Sequence, residues 1–425
     1  MFQTMRNAWK IEDIRRKILF TLLIILLYRL GNAVPVPYVN VEALNGYFTS
    51  MQNTVLGLLN VMSGGAFSNA TIFALSIQPY INASIIIQLL TIAIPALERM
   101  SKEEGEEGKK KIASITRYTT VVIGLIQGFA YYMMIKNYGF LEIADTNAVW
   151  AAIVIILTFT SGSALIMWLS EQITEFGIGN GISIILFASI VSRFPKDLYQ
   201  MIYSASTGVT QWWVTLLMLL GALAMIVLIV FINDAERRLP VQYAKRVVGR
   251  KMYGGQSTHL PMKVNMSGVL PIIFAQSIAS LPATIAAFTG HSDSLWAQTN
   301  TIVYAIIYFL LIIFFAYFYS TIQFNPIEVA NNLKKNGGYI PGFRPGKPTS
   351  EFIQKVLNKI TLFGAIYLGI IAVVPILISH FSAQAAQSGV SLGGTSIIIV
   401  VGVAIETVRA LEAQMLMRNY KGFLS

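Results

Sequence analysis

The chain has 425 residues, 55% of them hydrophobic and only 12% charged, with a net charge of +11 and no cysteine; its mean hydropathy is +0.62. So little charge excludes an ordinary soluble enzyme, whose exterior must be hydrated, and equally a disordered chain or a fibre. The lack of cysteine excludes disulfides, thiolate catalysis and cysteine-based metal sites, which leaves an all-α polytopic membrane protein.

A basic segment, MFQTMRNAWKIEDIRRK, precedes an apolar run at 18–36. No A-x-A-like cleavage site follows it, so it reads as a first transmembrane helix and not as a signal peptide. Nine further runs are long enough to cross a bilayer as helices: 70–96, 116–135, 149–170, 178–194, 212–233, 268–289, 300–322, 359–379 and 394–413. All are apolar on every side, unlike the alternating strands of a barrel. Residues 60–73, NVMSGGAFSNATIF, are too polar and short to span. They read either as an external loop or as a half-helix dipping in from outside, the latter tolerated only where protein buries it or it lines a cavity. Ten spans divide into halves of five, 1–205 and 206–425, and an odd number per half inverts the second relative to the first. The second span of each half carries proline, Pro79 in one and Pro271 and Pro282 in the other, a pointer to a central pathway between inverted repeats.

Alternate loops hold 27 Lys and Arg residues on one side and three on the other, with Arg29 inside the first span, near its end, where its side chain can snorkel toward the interface. That bias puts both termini and the basic loops in the cytoplasm. The 171–177 loop is assigned to that side without a positive charge. Two cytoplasmic loops, 234–267 and 323–359, exceed thirty residues, long for a helix connection; they read as docking surfaces or as solvated topogenic loops.

No catalytic set is apparent. His259, His291 and His380 are scattered, and none lies in an HExxH motif. GFRPGKP (342–348) is one spacer short of a phosphate loop and has Pro348 where Ser or Thr belongs. GIGNG (177–181) lacks a preceding strand and reads as a turn. Glu406 and Arg409, three apart on the tenth span, are placed to pair near its cytoplasmic end. The mid-membrane acidic residue of an ion-coupled carrier is not evident.

Five strings, SGGAFSNATIFALSIQPYINASIIIQLL (63–90), EQITEFGIGNGISI (171–184), QSTHLPMKVN (256–265), FNPIEVANNLKKNGGYIPGFRPG (324–346) and GGTSIIIVV (393–401), together resemble the bacterial SecY family, the channel subunit of the general protein translocon. The resemblance implies two inverted five-helix halves around an hourglass pore with no cofactor or enzymatic activity. It implies a pore ring of Ile77, Ile81, Ile182, Leu186, Ile273 and Ile399; such an aliphatic constriction excludes ions by dewetting. It implies that 60–73 is a plug, a short helix that seals the pore from outside, with Asn60, Ser63, Gly64, Gly65, Ala66, Phe67, Ser68 and Asn69 as its residues. Gln127 and Asn265 match polar positions of a lateral gate, while Lys245, Arg246, Arg250, Lys251 and Arg344 match loop positions that bind the SecA motor or the ribosome. Phe176 departs from relatives that carry a basic residue there. Implied partners are the small subunits SecE and SecG, the SecA ATPase, the ribosome, signal peptides, unfolded preproteins and membrane lipid. The implied location is the bacterial cytoplasmic membrane. A small-solute carrier with inverted repeats is the competing expectation.

Overall fold

The computed structural model describes residues 2–421 apart from 51–53, 103, 143–146, 209, 244–245, 249–250, 254–256, 267, 289–297, 299–300 and 382–393. Helices dominate, in the order α1 (Phe2–Lys10), α2 (Glu12–Gly31), α3 (Val41–Ser50), α4 (Val55–Met62), α5 (Gln78–Ala93), α6 (Pro95–Lys102), α7 (Gly105–Asn137), α8 (Ala148–Phe176), α9 (Gly181–Ser206) and α10 (Trp212–Asp234). After four strands, β1 (Glu236–Tyr243), β2 (Arg246–Val248), β3 (Lys251–Tyr253) and β4 (Ser257–Lys263), come α11 (Leu270–Phe288), α12 (Ile302–Gln323), α13 (Pro326–Lys335), β5 (Gly338–Tyr339), α14 (Lys347–Phe381) and α15 (Gly394–Lys421).

A helix lies at each of the ten predicted spans. Individually, α7, α8, α10, α14 and α12, which is continued by α13, are long and apolar enough to cross a bilayer. Their outer faces expose large apolar side chains that only lipid would cover; on α10, Leu217, Leu223, Val227 and Phe231 are each more than 60% exposed. Asn180 caps α9 by accepting from the Ile182 N–H, and Asn325 caps α13 in the same way, with Pro326 in its first turn.

The second predicted span differs most from expectation. α5 starts at Gln78, not near residue 70, and a 104° bend at Ile94 separates it from α6. Sixteen residues of helix cover about 24 Å, short of a ~30 Å hydrocarbon core. Residues 63–77 complete that path as successive turns, and protein buries most of them. This is the condition under which irregular backbone is tolerated at such depth. Pro79 therefore sits in the first turn of α5, where it costs no hydrogen bond, whereas Pro282 lies within α11.

The two long basic loops form one module. β1 pairs antiparallel with β4, from Glu236 opposite Lys263 to Gln242 opposite Ser257, and with β5 through Gln242 and Tyr339. Leu239, Val241 and Met262 from the first loop pack with Leu333, Ile340, Ile353 and Leu357 from the second. Residues predicted as open loop from 347 onward belong to the 35-residue α14. At the same end, Ala8 and Ile14 pack on Leu411 and Ile178.

Candidate functional site

The six aliphatic residues expected to form a ring come from four helices. Ile77 is the N-cap of α5, Ile81 lies one turn on, Ile182 and Leu186 are on α9, Ile273 is on α11 and Ile399 on α15. All six join one apolar cluster. Five are at most 1% exposed, and Ile182 is half-buried. None brings a polar atom beyond its own backbone. A group of branched side chains from four helices can close on itself while gripping no particular chemical group.

The segment 60–69 lies beside this cluster. Its helix is α4, which ends at Met62, so the sequence-based segment contains only the last turn of a helix and then turns. Gly64 and Gly65 have φ of 69° and 89°. A side chain at Gly64 would also meet the Ser189 carbonyl at 3.0 Å and the Arg29 guanidinium at 3.2 Å, so only glycine fits. Gly162 of α8 admits the Ile72 carbonyl, which lies where its Cβ would be. Ala70 and Ser76 adopt φ of 41° and 51°, unusual for residues with a side chain.

Hydrogen bonds anchor the segment to α2, α3 and α7. The Tyr28 hydroxyl is 2.7 Å from Ser189 Oγ and 3.4 Å from the Ser63 carbonyl. Tyr131 donates to the Phe67 carbonyl, and its ring stacks on Phe67. Asn60 Oδ1 accepts from the Ser68 N–H at 3.0 Å, and Asn45 donates to Asn69 at 2.6 Å. The backbone pairs with the end of the first span, Val36 N–H to the Ala70 carbonyl and Ile72 N–H to the Val34 carbonyl. Arg29, expected to reach toward the interface, donates to Ser192 at 2.8 Å instead.

Gln127 and Asn265, expected at one gate, occupy separate places. Gln127 lines a crevice between α5, α7 and α11 with Gln78, Asn82, Ser277, Ser280 and Thr284. Asn265 donates to Asn233 at 2.8 Å, toward the end of the bundle that carries the sheet. Beside it Arg409 is held by Asp234 at 2.6 Å and by the Asn233 carbonyl, so its near partner comes from α10 and not from its own helix, where Glu406 was the expected one. Glu406 accepts from the Val269 backbone. Burial lowers the pKa of Lys263 in β4, and nearby Arg409 lowers it further, against the opposing pull of Asp234, Glu236 and Glu406. Gln78, Asn82 and Ser277 are buried and were missed in the sequence. Their signal was a polar residue on α5 facing a Ser pair spaced by three on α11.

Arg344 is exposed at the tip of the loop between β5 and α14. Its carbonyl accepts from Thr349 Oγ1 at 2.8 Å, and stacked Phe343 and Phe352, 4.1 Å apart, brace the loop from within. Arg246 and Lys251 fall on the β2–β3 hairpin, with Lys251 opposite Val248. Lys245 and Arg250 lie outside the described residues, as does His291. Phe176 closes α8 and packs edge-on against Phe20 of α2, with about half of its surface exposed.

The architecture is that of a polytopic helical membrane protein in which an aliphatic cluster adjoins a buried turn-rich segment and two loops join in a sheet module. Residues 71–408 match the SecY family model. The chain is 43% identical to a Protein translocase subunit SecY of Streptomyces scabiei and 45% identical to that of Bacillus subtilis, with all of each chain covered. Its fold is similar to that of a protein conducting channel, with a TM-score of 0.68 at 17% identity over 94% of this chain and 92% of the other. It is also similar to Sec61 from the canine ribosome-channel complex, with a TM-score of 0.64 at 15% identity over the same shares. The chain belongs to the SecY family, and that membership sets aside the small-solute carrier.

Proposed function

We propose that this chain is the protein-conducting channel of a bacterial Sec translocase, passing unfolded preproteins across the cytoplasmic membrane and releasing apolar segments sideways into lipid. The observation that carries the reading is the convergence of six aliphatic side chains from α5, α9, α11 and α15 beside a buried turn-rich segment. In this reading Ile77, Ile81, Ile182, Leu186, Ile273 and Ile399 are the constriction, and 60–73 is the plug. An apolar ring holds back ions because water leaves a narrow hydrocarbon neck. It yields to a passing chain because each contact is non-directional dispersion. The halves 1–205 and 206–425 are the inverted units around it, and both termini face the cytoplasm.

The lateral exit lies between α5 with α7 and α11 with α12. Gln127 belongs to it together with Gln78, Asn82 and Ser277, which line one crevice between α5, α7 and α11; Asn265 acts at its cytoplasmic approach. A preprotein segment leaves by its own transfer gradient, about −0.3 to −0.6 kcal/mol per Leu-like residue at the bilayer centre. The motor SecA or the ribosome supplies direction from the cytoplasmic side, docking on the sheet module at Lys245, Arg246, Arg250, Lys251 and Arg344. SecE and SecG are the small membrane partners. Arg344 is the sharpest point of this assignment, because it is exposed on a braced loop. Arg344→Glu is expected to abolish SecA-driven import of a preprotein into vesicles while the chain still inserts and folds. Undiminished import would overturn the docking assignment.

A further inference from the structure

At the end of the bundle opposite the sheet, a cavity of about 420 Å³ opens beside the segment 60–69. Its wall includes Arg29 from α2, Arg193 and Lys196 from α9, and the polar Asn60, Ser68 and Asn69. Three cations therefore face one space, and no carboxylate lines it among the described residues. Asp197 lies behind the wall, 3.6 Å from Arg193 Nη2. Its single charge is too far for a close hydrogen bond and cannot balance three. Arg193 Nη1 is buried with no hydrogen-bond partner among the described residues. An unsatisfied guanidinium donor is costly, and a planar fork matches an oxyanion.

We propose that this cavity binds a phosphate-type oxyanion, which Arg29, Arg193 and Lys196 hold against the 60–69 segment. Acceptor geometry selects the class: a carboxylate offers two oxygens in one plane, whereas a phosphate, free or as a headgroup phosphodiester, presents several acceptor oxygens in different directions to cations that come from two helices. Volume is consistent with more than a bare ion, because 420 Å³ accommodates a glycerophosphate headgroup. The same chemistry is presented by free phosphate and by an anionic phospholipid. Arg29 already bonds Ser192 and abuts Gly64, so an anion here bridges the turn-rich segment to α9.

The absence of cysteine from the chain makes the test direct. Gln200→Cys, on the cavity wall, is labelled with a neutral maleimide. One arm uses detergent-solubilised protein with inorganic phosphate, against chloride at equal ionic strength. The other uses vesicles of zwitterionic phosphatidylcholine in buffer free of inorganic phosphate, with and without the anionic phosphatidylglycerol. Since only the empty fraction reacts, labelling slows about tenfold at ten times the dissociation constant. Protection by phosphate identifies the free ion, and protection by phosphatidylglycerol identifies the headgroup. Adding Lys196→Gln, an exposed position whose replacement leaves packing intact, or Arg193→Gln should abolish the protection. Equal labelling in all conditions, or protection that survives both replacements, would overturn the site. Because the assay reads occupancy alone, its outcome is independent of whether preprotein transport is observed.

Discussion

The buried segment before α5 has two flanks, and they are bonded differently. Toward the end of the first span, α3 and α7 it is tied by the Val36–Ala70 and Ile72–Val34 backbone bonds at 2.9 and 3.0 Å, by Asn45 to Asn69 at 2.6 Å and by Tyr131 to the Phe67 carbonyl, with the Tyr131 and Phe67 rings stacked. Toward α11 the crevice contains one long side-chain bond, Gln78 Nε2 to Ser277 Oγ at 3.5 Å. Ser76 Oγ, on the same wall, is buried with no partner among the described residues. Short, well-satisfied bonds fix a surface, whereas marginal ones leave little to lose when two helices part. In the proposed function, this difference makes the α5–α11 face the one expected to part.

The largest expected effect comes from forcing the loose face to behave like the tight one. Cysteines at Gln78 and Ser277 joined by a short bismaleimide should stop preprotein transport completely. The same reagent across Thr21→Cys and Ile178→Cys, where the Ile178 N–H donates to the Thr21 hydroxyl, should leave it running. Transport surviving the first crosslink, measured as protease-protected preprotein in vesicles, would place the opening elsewhere. Next in size are replacements in the shared aliphatic cluster. Ile81→Ser and Ile273→Ser each remove a fully buried branched side chain, costing roughly 2–4 kcal/mol and wetting the neck. Potassium conductance through planar bilayers should rise, and unchanged conductance would count against the ring. On the tight flank, Tyr131→Phe deletes only the hydroxyl that reaches Phe67. A buried hydrogen bond contributes about 1 kcal/mol, so displacement of the segment should become about fivefold more frequent, read as a matching rise in leak.

How much of this was legible in the sequence depended on whether the signal was local. Ten apolar runs announced ten helices because a span must satisfy its own backbone within one continuous stretch. The start of α5 was misplaced because 70–77 is as apolar as a helix; the turns there are set by contacts with Val34, Val36 and Gly162, which lie far away in the chain. Joining of the two basic loops was equally invisible. β1 is polar on its outer face, and its apolar partners Leu333, Ile353 and Leu357 belong to helices nearly a hundred residues on. Asn265 matched a gate position by string, yet its amide is committed to Asn233. Arg29 looked like a residue reaching for the interface, since no window of sequence shows Ser192 waiting on α9.

The smallest effect is the most discriminating. If the α5–α11 contact is as weak as its 3.5 Å bond implies, then Gln78→Ala and Ser277→Ala should each change little. Interhelical side-chain bonds in membranes average about 0.6 kcal/mol, which is a factor of about three in an opening equilibrium. The readout is the fraction of a marginally apolar test segment that inserts laterally. Either replacement should shift that fraction by threefold or less, and the double replacement should shift it no further than the larger single one, since both remove the same bond. A tenfold shift would mean that the face is held as firmly as the tyrosine side, and the contrast between the two flanks would fail. Full additivity of two sizeable shifts would mean that Gln78 and Ser277 act on different partners, and the crevice would then be ordinary helix packing.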